Sequence, residues 1–130
     1  PGAVQTVQGG IDPGETPRQA AEREMVEELG IGAGDFEMIG ELPETFKYEW
    51  PPEVLEKFDQ KGVRRHPEFI GQEQHFFLAM ISPDTEFFLG IFHREFSTVH
   101  WGTPQELVDG AWEYKKPVLE AALRGFGLLT

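Results

Sequence analysis

The sequence predicts an α/β fold, and three observations carry that prediction. A helix with both start and stop signals spans Pro17 to Leu29. Two stretches, Phe36–Leu42 and Phe76–Ile81, read as strands, the first by apolar–polar alternation and the second as a nearly continuous apolar run. Two further proline-led helical patterns open at Pro104 and Lys116. The chain has 130 residues, which suits one domain, and 39% of them are hydrophobic, enough to bury a core.

The chain opens with Val4, Thr6 and Val7, a short strand-forming segment that enters the glycine loop Gly9–Gly14. In the helix that follows, the Thr16 hydroxyl is placed to cap the first turn. Pro17 suits the first helical position, and Gln19 stands where the reciprocal partner of a capping box belongs. Gly30 ends the helix because glycine takes the left-handed conformation at low cost. Ala21, Met25, Val26 and Leu29 form its apolar side.

Gly32-Ala33-Gly34-Asp35 is a turn before the Phe36–Leu42 strand, which Phe46-Lys47-Tyr48 continues after Pro43. Val54, Leu55 and Phe58 suggest a helical turn after Pro51-Pro52. Gln72–His75 leads into Phe76–Ile81, read as a central strand. Phe87–Phe92 reads as an edge strand or packed loop, and Thr98–Trp101 as a further short strand. Thr103-Pro104-Gln105-Glu106 repeats the capping pattern and starts a short helix to about Ala111. Val118, Leu119, Ala122 and Leu123 then give the apolar stripe of a last helix. The three tryptophans, Trp50, Trp101 and Trp112, read as packing residues.

Charge bounds the function. Twenty-three acidic residues against eleven basic ones give a net charge of −12. An extended nucleic-acid footprint needs a basic stripe, so this balance weighs against one, while leaving room for a single bound 5′ end. There is no cysteine, which removes disulfides and thiol nucleophiles from consideration. No apolar run approaches the roughly 20 residues of a membrane span. The expectation is a soluble, cytoplasmic protein without membrane partners; the sequence does not set its oligomeric state. The basic cluster Lys57, Lys61, Arg64, Arg65 and His66 reads either as a solvated loop or as one that meets substrate phosphates.

The chemistry concentrates on the first helix. Glu24, Glu27 and Glu28 stand at i, i+3 and i+4, so their side chains are surface neighbours. Such a face is ordinarily solvated. A compact group of oxygen ligands behind a glycine loop also suits a hard cation such as Mg²⁺, which binds between carboxylates and substrate phosphates.

This stretch resembles the Nudix hydrolases, whose signature is G-x5-E-x7-R-E-U-x-E-E-x-G-U with U aliphatic. Gly9, Glu15, Arg23, Glu24, Met25, Glu27, Glu28, Gly30 and Ile31 meet it, with Met25 a mild variant at its aliphatic site. The segments GGIDPGE, KYEWPPEV, FIGQEQHFFL, REFSTVHW and EYKKPV further resemble one branch of that family. The branch holds the RNA 5′-pyrophosphohydrolases and the diadenosine tetraphosphate hydrolases.

The resemblance implies a fold, a site and a reaction. The fold is an α/β/α sandwich, a mixed sheet between the signature helix and the C-terminal helices. It forms a single domain over residues 1–130 that begins some way inside the family's usual N-terminal strands. Glu24, Glu27 and Glu28 become metal ligands, joined by a main-chain carbonyl near Gly9 and by Glu95. The ion is Mg²⁺, with Mn²⁺ or another divalent cation possible. Arg23 pairs with Glu15 and holds the loop on the helix. The general base is one of Glu24, Glu28 and Glu95. Tyr48 and Tyr114 match positions that meet a nucleobase, Gln72 and Gln74 keep the branch pattern, and Lys47 and Lys115 are candidates to neutralise phosphate. His75 stands where lysine is common.

The expected function is metal-dependent hydrolysis of a nucleoside diphosphate linked to another group, with diadenosine tetraphosphate the preferred substrate. The alternative is removal of pyrophosphate from the 5′-triphosphate end of RNA in mRNA decay. A different class of reading, a module that binds a nucleotide without cleaving it, is disfavoured by the intact glutamates.

Overall fold

The computed structural model of the protein describes residues 6–61, 70–88 and 101–130. Helices and small antiparallel ladders alternate along it, an α/β arrangement. Helix α1 runs Pro17–Leu29, strand β1 Phe36–Glu41, β2 Phe46–Glu49, helix α2 Pro52–Lys61, β3 Gly71–Gln74 and β4 Phe77–Ile81. Helices α3 (Pro104–Gly110) and α4 (Lys116–Gly125) follow, separated by a 3-10 turn at Glu113–Lys115. No helix among the described residues is long and apolar enough to cross a membrane. The chain's contacts divide it into two compact units, described in turn.

The first comprises the described parts of Gln5–Glu41 and Phe77–Thr103. Helix α1 has the limits its local chemistry dictates. The Gln19 amide donates to the Thr16 hydroxyl at 3.1 Å, and the Thr16 amide donates to the Gln19 side chain at 2.9 Å. Gly30 closes the helix at φ 62° with its amide on the Val26 carbonyl. A side chain at Gly30 would also meet the Phe88 carbonyl oxygen at 2.1 Å, because the Phe88 amide donates to Leu29 there. Met25, Leu29 and Ile31 form the core with Val7, Phe36, Met38, Ala79, Ile81 and Phe87. Phe36 and Met38 on β1, and Ala79 and Ile81 on β4, are alternate residues of strands that pair antiparallel, Phe36 opposite Ile81 and Glu41 opposite Phe77. A register shift between Met38 and Gly40 leaves Ile39 as the extra residue.

The second unit comprises the described parts of Leu42–Phe76 and Pro104–Thr130. Here β2 pairs antiparallel with β3, Phe46 opposite Gln74 and Tyr48 opposite Gln72. Val108, Ala111 and Leu119 form the core, with Phe76, Leu107, Leu123 and Leu129 packed on it. Phe46 meets Phe76 edge-on with ring centres 5.7 Å apart. The C-terminal stripe behaves as its spacing predicts: Val118, Leu119 and Ala122 are buried and Leu123 half-buried.

Several expectations need correction. Thr6 and Val7 join no ladder; Val7 packs on the Met25 cluster instead. Phe46–Tyr48 does not continue β1 but belongs to a separate ladder, whose partner is the polar stretch Gly71–Gln74. On α1, Ala20 rather than Ala21 is the buried alanine. Both ladders among the described residues are antiparallel, and the α/β class holds. Phe87 and Phe88 form no strand; the rest of Phe87–Phe92, and Thr98–His100, lie outside the described residues.

Candidate active site

The acidic face of α1 is not a solvated one. Glu24 is 9% exposed and Glu28 3%, while Glu27 is half-buried. Carboxylates are seldom buried without partners, because desolvation penalises the charged form. The partners come from the loop in front. The Gln8 amide donates to Glu28 Oε2 at 3.3 Å. Gly9 lies so close to Glu24 that a Cβ there would stand 2.2 Å from the Glu24 carboxyl carbon. Only a residue without a side chain brings its main chain so near that carboxylate.

Arg23 ties loop to helix. Its Nε donates to Glu15 Oε2 at 2.8 Å and its Nη2 to Glu15 Oε1 at 3.1 Å, a two-point fork. Nη2 also reaches the Gly10 carbonyl at 2.8 Å. Nη1 donates to Glu24 Oε1 at 2.6 Å and to Glu27 Oε2 at 3.1 Å. Asp12 adds a carboxylate 3.5 Å from Nε. The guanidinium beside Glu15, with the Asp12 amide, holds the Glu15 carboxyl below its usual range. In return Glu15 first, then Glu24, keep Arg23 firmly charged.

The donor set suits a hard divalent cation in kind: carboxylate oxygens, two of them from buried side chains, under a glycine main chain. As placed, no three carboxylate or imidazole groups among the described residues converge on one point. The Arg23 guanidinium is the cation that two of these carboxylates hold.

A second cluster lies in the other unit. Tyr48 is buried on β2, and its hydroxyl donates to Gln72 Oε1 at 2.5 Å across the ladder. Burial pushes the Tyr48 phenol up to about 12, so it stays protonated and donates. The Tyr48 and Tyr114 rings are 5.6 Å apart and tilted at 44°. Tyr114 lies parallel to Trp112, within 5° and 6.2 Å between centres. Lys115 is buried, with Nζ 4.9 Å from the centre of the Trp112 ring. Burial lowers its pKa.

Comparisons with known proteins show the family. The sequence model of the NUDIX domain matches residues 1–122. The chain belongs to the Nudix hydrolase family. Among its relatives, Nudix hydrolase 26, chloroplastic, of Arabidopsis thaliana is 38% identical over 97% of this chain and 58% of its own length. Nudix hydrolase 25 of the same plant is 35% identical over 98% of this chain and 73% of its own. The RNA pyrophosphohydrolase of Cereibacter sphaeroides is 38% identical over 95% of this chain and 74% of its own. The chain thus spans about three-fifths to three-quarters of the length of these proteins.

Within this Nudix chain the structure gathers Gly9, Arg23, Glu24, Glu27 and Glu28 in one unit, and Tyr48, Gln72, Tyr114 and Lys115 in the other. Gln74 is half-buried and sends its amide toward Gln72 Oε1 at 3.5 Å. Lys47 is exposed on the strand face opposite Tyr48, and His75 is exposed. Glu95, Arg64, Arg65 and His66 lie outside the described residues. Two residues escaped the sequence reading. Asp12 joins the Arg23 cluster, and its position in the glycine loop was the available signal. Trp112, expected to be a packing residue, is 44% exposed and lies parallel to Tyr114.

Proposed function

We propose that this Nudix hydrolase removes phosphate or pyrophosphate from the 5′-triphosphate end of RNA. The observation that carries the reading is the pair of buried carboxylates, Glu24 against Gly9 and Glu28 on the Gln8 amide. The name of the Cereibacter sphaeroides relative supports RNA as substrate, whereas none of the three relatives named above carries a dinucleoside polyphosphate in its name. Diadenosine tetraphosphate becomes the second reading, supported by the net charge of −12, which favours a small ligand over a long polyanion.

Glu24, Glu27 and Glu28 would hold the metal, with the Gly9 main-chain carbonyl and Glu95 as the further ligands. When bound, Mg²⁺, or Mn²⁺ in its place, neutralises phosphate charge and makes a bound water more acidic. The protein's own residues do the rest. Arg23 fixes the loop against α1, so that the carboxylates keep their spacing. Glu24, Glu28 or Glu95 accepts the proton of the attacking water. The water oxygen bonds to phosphorus, the phosphoanhydride P–O bond breaks, and its oxygen leaves on the released phosphate. Tyr48, Tyr114, Gln72 and Gln74 bind the nucleoside end, and Lys115 or Lys47 meets phosphate. The cytoplasm is the compartment we assign, to be checked by fractionation.

Product analysis on matched substrates tests this. A 5′-triphosphate RNA and diadenosine tetraphosphate are offered at equal concentration with Mg²⁺. A 5′-monophosphate RNA with released phosphate or pyrophosphate is the expected outcome. ATP plus AMP from the dinucleotide, with the RNA untouched, would replace RNA by the small molecule.

A further inference from the structure

We propose that Trp112 is a nucleobase-contacting residue, the outer member of an aromatic platform it forms with Tyr114. The proposal rests on the reading above that the substrate is a nucleotide. Trp50 shows what a packing tryptophan looks like here: half-buried, with its ring edge-on to Phe58 at 5.1 Å. Trp112 differs. It is 44% exposed, although its neighbour Ala111 belongs to the buried core. A lone exposed apolar side chain is ordinary. This one is also fixed in orientation, which ordinary surface residues are not.

Three contacts fix it. The ring lies parallel to Tyr114, which in turn leans on the buried Tyr48. The Lys115 ammonium stands over the indole at 4.9 Å from its centre, and Lys115 is itself buried. The main chain is pinned by the Lys115 amide donating to the Trp112 carbonyl at 2.9 Å. Trp112 is therefore a partly exposed, pre-oriented aromatic ring beside Tyr114 and next to a cation. A nucleobase attached to phosphate has the matching form: a flat ring that stacks and a negative group that seeks the ammonium. Stacking tolerates any base, so Trp112 would add affinity for the nucleoside end without strict sequence preference.

The test is calorimetric binding of ADP and of base-free pyrophosphate, with Mg²⁺, to the full chain and to Trp112→Ala and Trp112→Phe. Base–aromatic stacking corresponds to roughly 5- to 100-fold in affinity. Trp112→Ala should weaken ADP by about that factor and pyrophosphate by less than a fifth as much, with Trp112→Phe recovering most of the loss. ADP should quench tryptophan emission in the natural chain and much less in Trp112→Phe, a readout that stands if the alanine variant folds poorly. Equal weakening of both ligands, no weakening of either, or no ADP binding to the natural chain overturns the proposal. Cleaved RNA with unchanged ADP affinity would remove Trp112 from the base site and leave the reaction. The expected affinity pattern without RNA cleavage would do the reverse.

Discussion

Arg23 and Glu15, eight residues apart, face each other fork to fork, with Nε–Oε2 at 2.8 Å and Nη2–Oε1 at 3.1 Å. The third arm of the same guanidinium runs to Glu24 and Glu27. One side chain therefore joins the glycine loop to the carboxylate face of α1.

Lysine at position 23 keeps the charge and loses the fork. Arg23→Lys should lower stability by about 1–2 kcal/mol, a charged hydrogen-bond pair discounted for its partial exposure. Thermal unfolding measures it. The loss should persist in Glu15→Gln only in part, since Glu24 and Glu27 still hold the cation; a double-mutant cycle separates the two.

The same pair predicts an acid limb. Arg23 depresses the folded pKa of Glu15. Its stabilisation is complete above the ordinary glutamate pKa of about 4.3 and is lost as pH falls through the lower folded value. Melting temperature recorded from neutral pH downward should fall less steeply below that point in Glu15→Gln than in the natural chain. Superimposable acid limbs would count against the pair.

Gly9→Ala places its Cβ 2.2 Å from the Glu24 carboxyl carbon. The obstacle is the far end of a flexible side chain, so the fold survives and the carboxylate moves. Hydrolysis should drop by roughly 10- to 100-fold, the scale of a disturbed ligand shell, with the melting temperature little changed. A large melting shift with normal turnover would contradict this.

Glu28→Gln keeps the shape of the side chain and removes a negative charge from a site that is only 3% exposed. Turnover should fall by more than the roughly hundredfold that outer-shell partners cost, while nucleotide binding stays nearly intact. Activity within twofold of the natural chain would place the metal elsewhere.

What the sequence made legible was what local chemistry decides. Thr16, Pro17, Gln19 and Gly30 set the limits of α1 by bonds within a few residues, and the structure has those limits. The alternation of Phe36, Met38 and Gly40 against Glu37, Ile39 and Glu41 matches the burial of β1. The polar stretch Gly71–Gln74 was illegible as a strand, because its partner lies more than twenty residues away and much of its surface faces water. Nor could spacing alone say that Glu24 and Glu28 are buried. That follows from the loop that Gln8 and Gly9 lay over them.

The pairing of β1 with β4 has a consequence for synthesis. Phe36 leaves the ribosome well before its partner Ile81, which lies 45 positions later in the register. At about 5–20 residues per second that is roughly 2–9 seconds. Throughout that interval Met25, Leu29, Phe36 and Met38 lack the β4 surface they pack on in the finished protein. A nascent chain of this protein thus leaves that apolar surface uncovered until Ile81 has emerged, and slow codons placed between β1 and β4 would lengthen its exposure.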